Sequence, residues 1–273
     1  MMGYTEQINE AVQYLQAKGI DNPIAGIVLG TGLGKMVEKI SIIKTIEYKD
    51  IPHFPVATVE SHSGKLIYGT IGNTTVLAMQ GRFHYYEGYS MQQITFPIRV
   101  MHKLGIKKLL LSNAAGGINL DFKKGDLVLI DDHINLQPGN PLRGLTGPEY
   151  EPRFPDMSCP YDKGLSALIV EKAAAQDIKL KKGVYTVVMG PNLETRAEYR
   201  YLKIIGSDLV GMSTVPEVIV ANQLSLPCAA VSVVTDECDP DNLHPVNIEE
   251  IIAVAGTADG KLSNLFAAVI ESL

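Results

Sequence analysis

The chain has 273 residues, 46% of them hydrophobic, and a formal net charge of −6, with its Lys and Arg residues dispersed. The length and apolar content suit one large α/β domain over residues 1–273, and the acidic balance argues against a nucleic-acid surface, which normally shows a clustered basic excess. Cys159, Cys228 and Cys238 contain no C-x-x-C pair and leave an odd count, so neither a disulfide framework nor a zinc ribbon is indicated.

Met1 to Gln7 lacks the basic start and apolar core of a signal peptide, and no apolar run reaches membrane-spanning length. A cytoplasmic chain without membrane contact is expected. A polar first helix is expected from about Thr5 to Lys18. Ile24 to Leu29 is a short continuous apolar run ended by glycines, the pattern of a buried strand. Further strands are expected at Lys65 to Ile71, Thr75 to Met79, Lys108 to Ser112, Leu127 to Asp131, Gly183 to Met189, Leu209 to Met212 and Cys228 to Thr235. Helices are expected at Met91 to Leu104, Lys163 to Gln176, Thr195 to Ile205, Val215 to Leu224 and Ile248 to Ser272. This alternation is that of an α/β layer fold. Gln137 to Asp162, rich in Pro, Gly and charge, lacks periodicity and is too long for an idle connection, so it reads as a functional or interface loop.

Two segments put reactive side chains where a strand gives way to a helix. In Gly190-Pro191-Asn192-Leu193-Glu194-Thr195, Glu194 follows a buried run, where a carboxylate needs a partner or a purpose. A glutamate favoured by a helix dipole reads the same way. In Met212-Ser213-Thr214-Val215-Pro216-Glu217, Ser213 brings a hydroxyl to the mouth of a helix. Ligands of open α/β sheets bind at such endings, so the two suggest one site.

Gly30-Thr31-Gly32-Leu33-Gly34 lets backbone N–H groups approach an anion. It is no Walker A loop, because Met36 follows Lys35, and no dinucleotide fingerprint, because Lys35 takes the place of the third glycine. Taken alone it reads as a tight strand-to-helix turn. Arg82 and His84, two apart beyond a strand, project to one side in extended backbone. A guanidinium fork and an imidazole donor suit a phosphate dianion; taken singly they read as a surface salt bridge and a structural histidine. His53, His62, His84, His102, His133 and His244 include no helical i, i+4 pair, and Asp131-Asp132-His133 reads as structural, so no metal is expected.

These motifs occur in order with Met79-Gln80-Gly81-Arg82-Phe83-His84-Tyr85-Tyr86-Glu87-Gly88-Tyr89, Asn113-Ala114-Ala115-Gly116-Gly117 and Asp132-His133-Ile134-Asn135-Leu136. Together they resemble the trimeric purine nucleoside phosphorylases from about Ile24 to the last helix. The resemblance implies a single-domain three-layer α/β/α fold with a mixed central sheet. It implies reversible phosphorolysis of inosine, guanosine and their 2′-deoxy forms to free base and (deoxy)ribose 1-phosphate. Phosphate is then a co-substrate and no cofactor is needed. Carried over residue by residue, phosphate falls to Thr31, His62, Arg82, His84, the backbone of Ala114, and Ser213. The base falls to Leu193, Glu194, Val210 and Asp236, and the ribose to Tyr86, Met212, Tyr150 and Ile248. His84, Glu194 and Asp236 are the implied catalytic groups. Tyr150 would reach the neighbouring site of a homotrimer.

Two positions depart from the family. Asp236 stands where an Asn is usual, and Asp donates a hydrogen bond only when protonated. Burial beside Glu194 is one way to bring that about. Ile248 stands where a histidine meets the ribose 5′-OH, with His244 a substitute from another angle. Asp236 with an apolar residue at 248 is similar to the 5′-methylthioadenosine phosphorylases, which lack Glu194. A 5′-methylthioadenosine or 5′-methylthioinosine phosphorylase is therefore the alternative activity, and a silent nucleoside-binding protein the alternative class.

Overall fold

The computed structural model describes the chain from Gly3 to Leu273, apart from Gly32, Ala57, Val59, Glu60, Ser61, His62, His244 and Val246. Its frame is a nine-stranded mixed sheet in the order β2-β3-β4-β1-β5-β8-β7-β6-β9. The strands are β1 (Ala25–Leu29), β2 (Ser41–Glu47), β3 (Lys65–Ile71), β4 (Thr74–Gln80), β5 (Lys108–Gly117), β6 (Leu127–Asn135), β7 (Leu180–Val187), β8 (Leu209–Gly211) and β9 (Cys228–Glu237). The helices are α1 (Tyr4–Ala17), α2 (Met91–Leu104), α3 (Lys163–Ala175), α4 (Arg196–Ile204), α5 (Val215–Gln223) and α6 (Ile248–Ile270).

Period-two side chains divide the core between the two faces of the sheet. On β1, Val28 packs into one apolar cluster with α1, α2 and α5, while Ala25, Ile27 and Leu29 pack into the other with α3 and α6. On β5, Leu109 and Leu111 face the first cluster and Leu110 the second. Because helices cover both faces, these strands read as continuous apolar runs.

β4, β1 and β5 are parallel neighbours, and β2 and β3 extend that edge as antiparallel strands. Beyond β5 the sheet curls into a ring, because β9 pairs with both β6 and β5 while β5 also pairs with β8. The ring lengthens strands beyond their sequence signal. β5 runs on through Asn113-Ala114-Ala115-Gly116-Gly117, a segment of poor strand propensity whose backbone is paired with β8 and β9. β6 and β9 likewise extend past their apolar cores. β7 begins at Leu180 and stops at Val187, earlier than expected, since Lys181 and Lys182 pair with β6 despite their charge. β2 was not expected at all. It is an edge strand with Ile42 and Ile43 at 50% and 60% exposure, so its apolar residues carry no inward period.

The helix limits follow their caps. The Ser90 hydroxyl accepts from Gln93 N at 3.2 Å, the Gln93 side chain accepts from Ser90 N at 2.9 Å, and Gly105 in the left-handed region ends α2. Within residues 137–162 the one regular element among the described residues is a 3₁₀ turn at Pro148–Tyr150. Among the described residues no helix is long and apolar enough to cross a membrane.

Candidate active site

A cavity of about 360 Å³ opens at the carboxyl ends of the strands, where the sequence motifs converge. β1 delivers Gly30 and Thr31, the segment after β4 delivers Arg82, His84 and Tyr86, and β5 delivers Asn113 to Gly116. The β7–α4 connection adds Leu193 and Glu194, β8 and its end add Val210 to Ser213, and β9 adds Thr235 and Asp236. Ile248, Ile251 and Ile252 close it from the first turns of α6. Gly30 allows two backbones to meet, since a Cβ there would lie 2.7 Å from Ser112 O and 2.8 Å from Asn113 Cα.

Arg82 and His84 bring two buried nitrogen-bearing side chains to the cavity wall. Arg82 is 1% exposed, and its Nη2 and Nε donate to Glu217 Oε2 and Oε1 at 2.6 and 3.2 Å. Its Nη1 donates to Ser112 O at 2.5 Å and lies 3.4 Å from the Ser213 hydroxyl. One edge of the guanidinium grips a buried carboxylate and not a surface partner, which fixes its plane against the cavity. Glu217 is 4% exposed on the otherwise apolar start of α5, a functional residue that its motif does not mark by itself. A lone carboxylate within Val-Pro-Glu-Val-Ile-Val was the available signal.

His84, 5% exposed, stacks on Tyr86 at 4.7 Å, and its Nδ1 lies 2.9 Å from Glu87 Oε1, which also accepts from His84 N at 2.7 Å. Burial holds the imidazole below its usual pKa although Glu87 pulls the other way. Burial would raise the Glu87 carboxyl, but hydrogen bonds from His84 and Thr58 outweigh it and bring its pKa to about 2. The stability that Glu87 contributes is therefore present above its ordinary value of 4.5 and is lost as the pH falls toward 2. Glu87→Gln is expected to flatten that limb of the urea midpoint against pH. An unchanged acid limb would remove Glu87 from this role.

Ser213 precedes a strained residue. Thr214 has φ +69° and ψ −53°, with Val215 N donating to Ser213 O at 2.7 Å, which is a γ-turn. Thr214 Oγ1 accepts from Asn113 Nδ2 at 2.9 Å, so a buried amide holds the turn that presents Ser213.

Two carboxylates also line the cavity. Glu194 precedes the capping box of α4, in which Thr195 N donates to Glu198 Oε2 at 2.7 Å and Glu198 N to Thr195 Oγ1 at 3.3 Å. Burial raises the Glu194 pKa, and the Asp236 charge adds to the effect. Asp236 accepts from Thr235 Oγ1 at 2.9 Å and from Cys238 Sγ at 3.2 Å. Tyr199, Ile251 and Ile252 also line the cavity and were not singled out in the sequence. The isoleucines were legible from the i, i+3, i+4 spacing that begins at Ile248.

Tyr150 lies apart from the cavity within its own chain. It is absent from the cavity wall and 7% exposed, stacked on Tyr4 at 6.4 Å with Arg99 over its ring, its hydroxyl 2.7 Å from Thr5 Oγ1. The exposed aromatic of that loop is Phe154, at 86%. His62 and His244 lie outside the described residues.

The strand-end cavity thus carries on its wall a buried arginine, a buried histidine and two carboxylates, Glu194 and Asp236. The chain belongs to the phosphorylase superfamily, whose family model matches residues 25–271. Within that superfamily its similarity is to purine nucleoside phosphorylases: it is 44% identical to purine nucleoside phosphorylase 1 of Bacillus subtilis over 97% of this chain and 98% of the relative. To the purine nucleoside phosphorylase of Mus musculus it is 42% identical over 92% and 89%. A structure of isoform 2 of the Schistosoma mansoni purine nucleoside phosphorylase, in complex with cytosine and ribose-1-phosphate, superposes with TM-score 0.93 at 42% identity, covering 98% of this chain and 96% of that one. A Schistosoma mansoni structure in complex with adenosine gives 0.92 at 40% identity, over 98% and 97%. The chain is thus a purine nucleoside phosphorylase enzyme, a pentosyltransferase of purine salvage.

Proposed function

We propose that the enzyme phosphorolyses 6-oxopurine nucleosides, inosine and guanosine and their 2′-deoxy forms, with the whole chain acting as one domain. The observation that carries this reading is the convergence of Thr31, Arg82, His84, Ala114 and Ser213 on the wall of one cavity that Glu194 and Asp236 also line. In this reading phosphate binds beside the arginine, to Thr31, Ser213, the Ala114 backbone and Arg82. His84 is neutral at physiological pH, consistent with its lowered pKa, and gives its Nδ1–H to Glu87, so Nε2 accepts the proton of a phosphate hydroxyl.

A phosphate oxygen then forms its bond to the anomeric carbon as the bond from that carbon to N9 breaks. The phosphate charge stabilises the oxocarbenium character of the sugar. The electron pair of the broken bond passes to the purine, where a proton or hydrogen bond at N7 from Asp236 absorbs it. Glu194 accepts from N1–H, Val210 and Leu193 wall the base, and Met212, Tyr86 and Ile248 wall the ribose.

The test is hypoxanthine release from inosine with and without phosphate. Release that requires phosphate and yields ribose 1-phosphate is expected. Tight nucleoside binding without turnover would instead support the silent binding protein.

A second reading concerns the 5′ end of the sugar. Ile248, Ile251 and Ile252 present one apolar helix face to the cavity, with Ile248 and Ile252 at 59% and 37% exposure. Apolar surface left uncovered at a cavity wall favours an apolar 5′ substituent over a hydroxyl. 5′-Methylthioinosine is accordingly expected to match inosine in kcat/KM or exceed it; a loss of tenfold or more would remove the apolar subsite.

We also propose a cytoplasmic homotrimer, the assembly that the resemblance implies. Phe154 on the long loop is a side chain that such an assembly would cover. A monomeric mass by light scattering would exclude the trimer.

A further inference from the structure

Helix α6 carries a buried acid away from the cavity wall. Asp259 is 2% exposed in the middle of the helix, among the buried Ala255, Ala258, Leu262 and Leu265. Aspartate is a poor residue for a helix interior, and a carboxylate taken out of water costs free energy unless its oxygens are met. Both oxygens are met. Ser263 Oγ, one turn on, donates to Oδ1 at 2.9 Å, and the backbone N of Lys35 donates to Oδ2 at 2.7 Å.

The second donor lies 224 positions away in the chain. Lys35 opens the 3₁₀ turn Lys35–Lys39, and the first N–H groups of such a turn have no partner within it. Gly34, the residue before it, has no side chain with which to cap them. The Asp259 carboxylate does from another element what an N-cap side chain does locally. Apolar contacts seat the turn on α6 as well, since Leu33 and Met36, each 1% exposed, join the cluster that contains Ala255, Ala258 and Leu262. Lys35 Nζ donates to Gly256 O on the same helix at 3.3 Å.

This turn ends the segment that brings Thr31 to the cavity. Gly30 and Thr31 line the cavity, Leu33 N donates to Gly30 O at 3.1 Å, and Gly34 leads directly into Lys35. With glycines at 30, 32 and 34, the segment has little intrinsic preference for one backbone conformation. Its two ends must therefore be held from outside. The pairing of β1 with β4 and β5 fixes the start, and Asp259 fixes the end.

We infer that Asp259 is a positioning residue of the phosphate subsite: from α6 it clamps the amide that ends the glycine segment and so holds Thr31 where phosphate binds. The inference rests on the proposed reading in which Thr31 meets phosphate. Asp259 itself touches no substrate and acts through the backbone of the segment.

The test is steady-state kinetics at varied phosphate, with the purine nucleoside that the wild type turns over fastest. Asp259→Ala removes the acceptor of a charge-assisted hydrogen bond, so the phosphate concentration for half-saturation is expected to rise about tenfold. The nucleoside KM, and kcat at saturating phosphate, are expected to stay close to wild type. Asp259→Leu keeps the branching of the side chain without an acceptor and is expected to show the same rise, which separates the effect from that of a cavity. Asp259→Asn keeps an acceptor oxygen for Lys35 N and is expected to restore phosphate use. A structural role alone would lower kcat and the use of both substrates together. Such parallel losses, or unchanged phosphate half-saturation in the Ala and Leu variants, would overturn the inference. Thr31→Ala tests the reading beneath it. A rise for Thr31→Ala without one for the Asp259 variants overturns the inference alone, whereas unchanged phosphate use by Thr31→Ala removes the segment from the phosphate subsite and the inference with it.

Discussion

Glu217→Ala is expected to lower the stability of the protein by about 3 to 5 kcal/mol, because it leaves the buried Arg82 guanidinium without its counter-ion. Arg82 and Glu217 are 1% and 4% exposed and joined at 2.6 Å, so water cannot take the place of the lost carboxylate. The phosphate concentration for half-saturation should rise as well, since the guanidinium loses the partner that orients it. The double variant Arg82→Leu with Glu217→Leu separates the two effects. It removes both charges, so it is expected to regain much of the stability while remaining unable to use phosphate. Urea unfolding together with phosphate saturation curves measures both. Wild-type stability for Glu217→Ala would mean that the pair does not hold the arginine in place.

Glu194→Ala is expected to reduce kcat/KM for inosine on the order of 10⁴-fold, the discrimination shown by sites built to hydrogen-bond a substrate N–H. Stability should change little or rise, because Glu194 is partly buried and held above its ordinary pKa, so its charge is costly to the fold. Half-saturation by phosphate should remain close to that of the wild type. That split, with a large loss for the nucleoside and little for phosphate or stability, distinguishes a base-recognising carboxylate from one that merely sits favourably beside the N-terminus of α4. A loss below tenfold would leave Glu194 that helix-end role alone.

Much of the fold was legible because its signals are local. α2 was expected at Met91 to Leu104 and spans those residues, since Ser90 with Gln93 and then Gly105 mark its ends. The motif residues were legible as a group because each lies at or just beyond the end of an apolar strand run. The tail of β5 and the whole of β2 were not. The first owes its conformation to pairing with β8 and β9, and the second sits at an exposed edge without an inward period.

By itself the sequence determined the alternation of strands and helices, the helix limits and the set of side chains brought to the strand ends. Those properties depend on periodicity, caps and turns within a few residues. Only the tertiary structure decided what each side chain does with its neighbours. It closed β5 to β9 into a ring, paired Arg82 with Glu217 across 135 positions, and set the Cys238 thiol against Asp236. It also turned Tyr150 inward onto Tyr4 and Arg99, leaving Phe154 exposed. A residue's type states which hydrogen bonds and charges it can offer. Which of them are taken depends on partners far away in the chain and on burial, which makes any unpaired group costly.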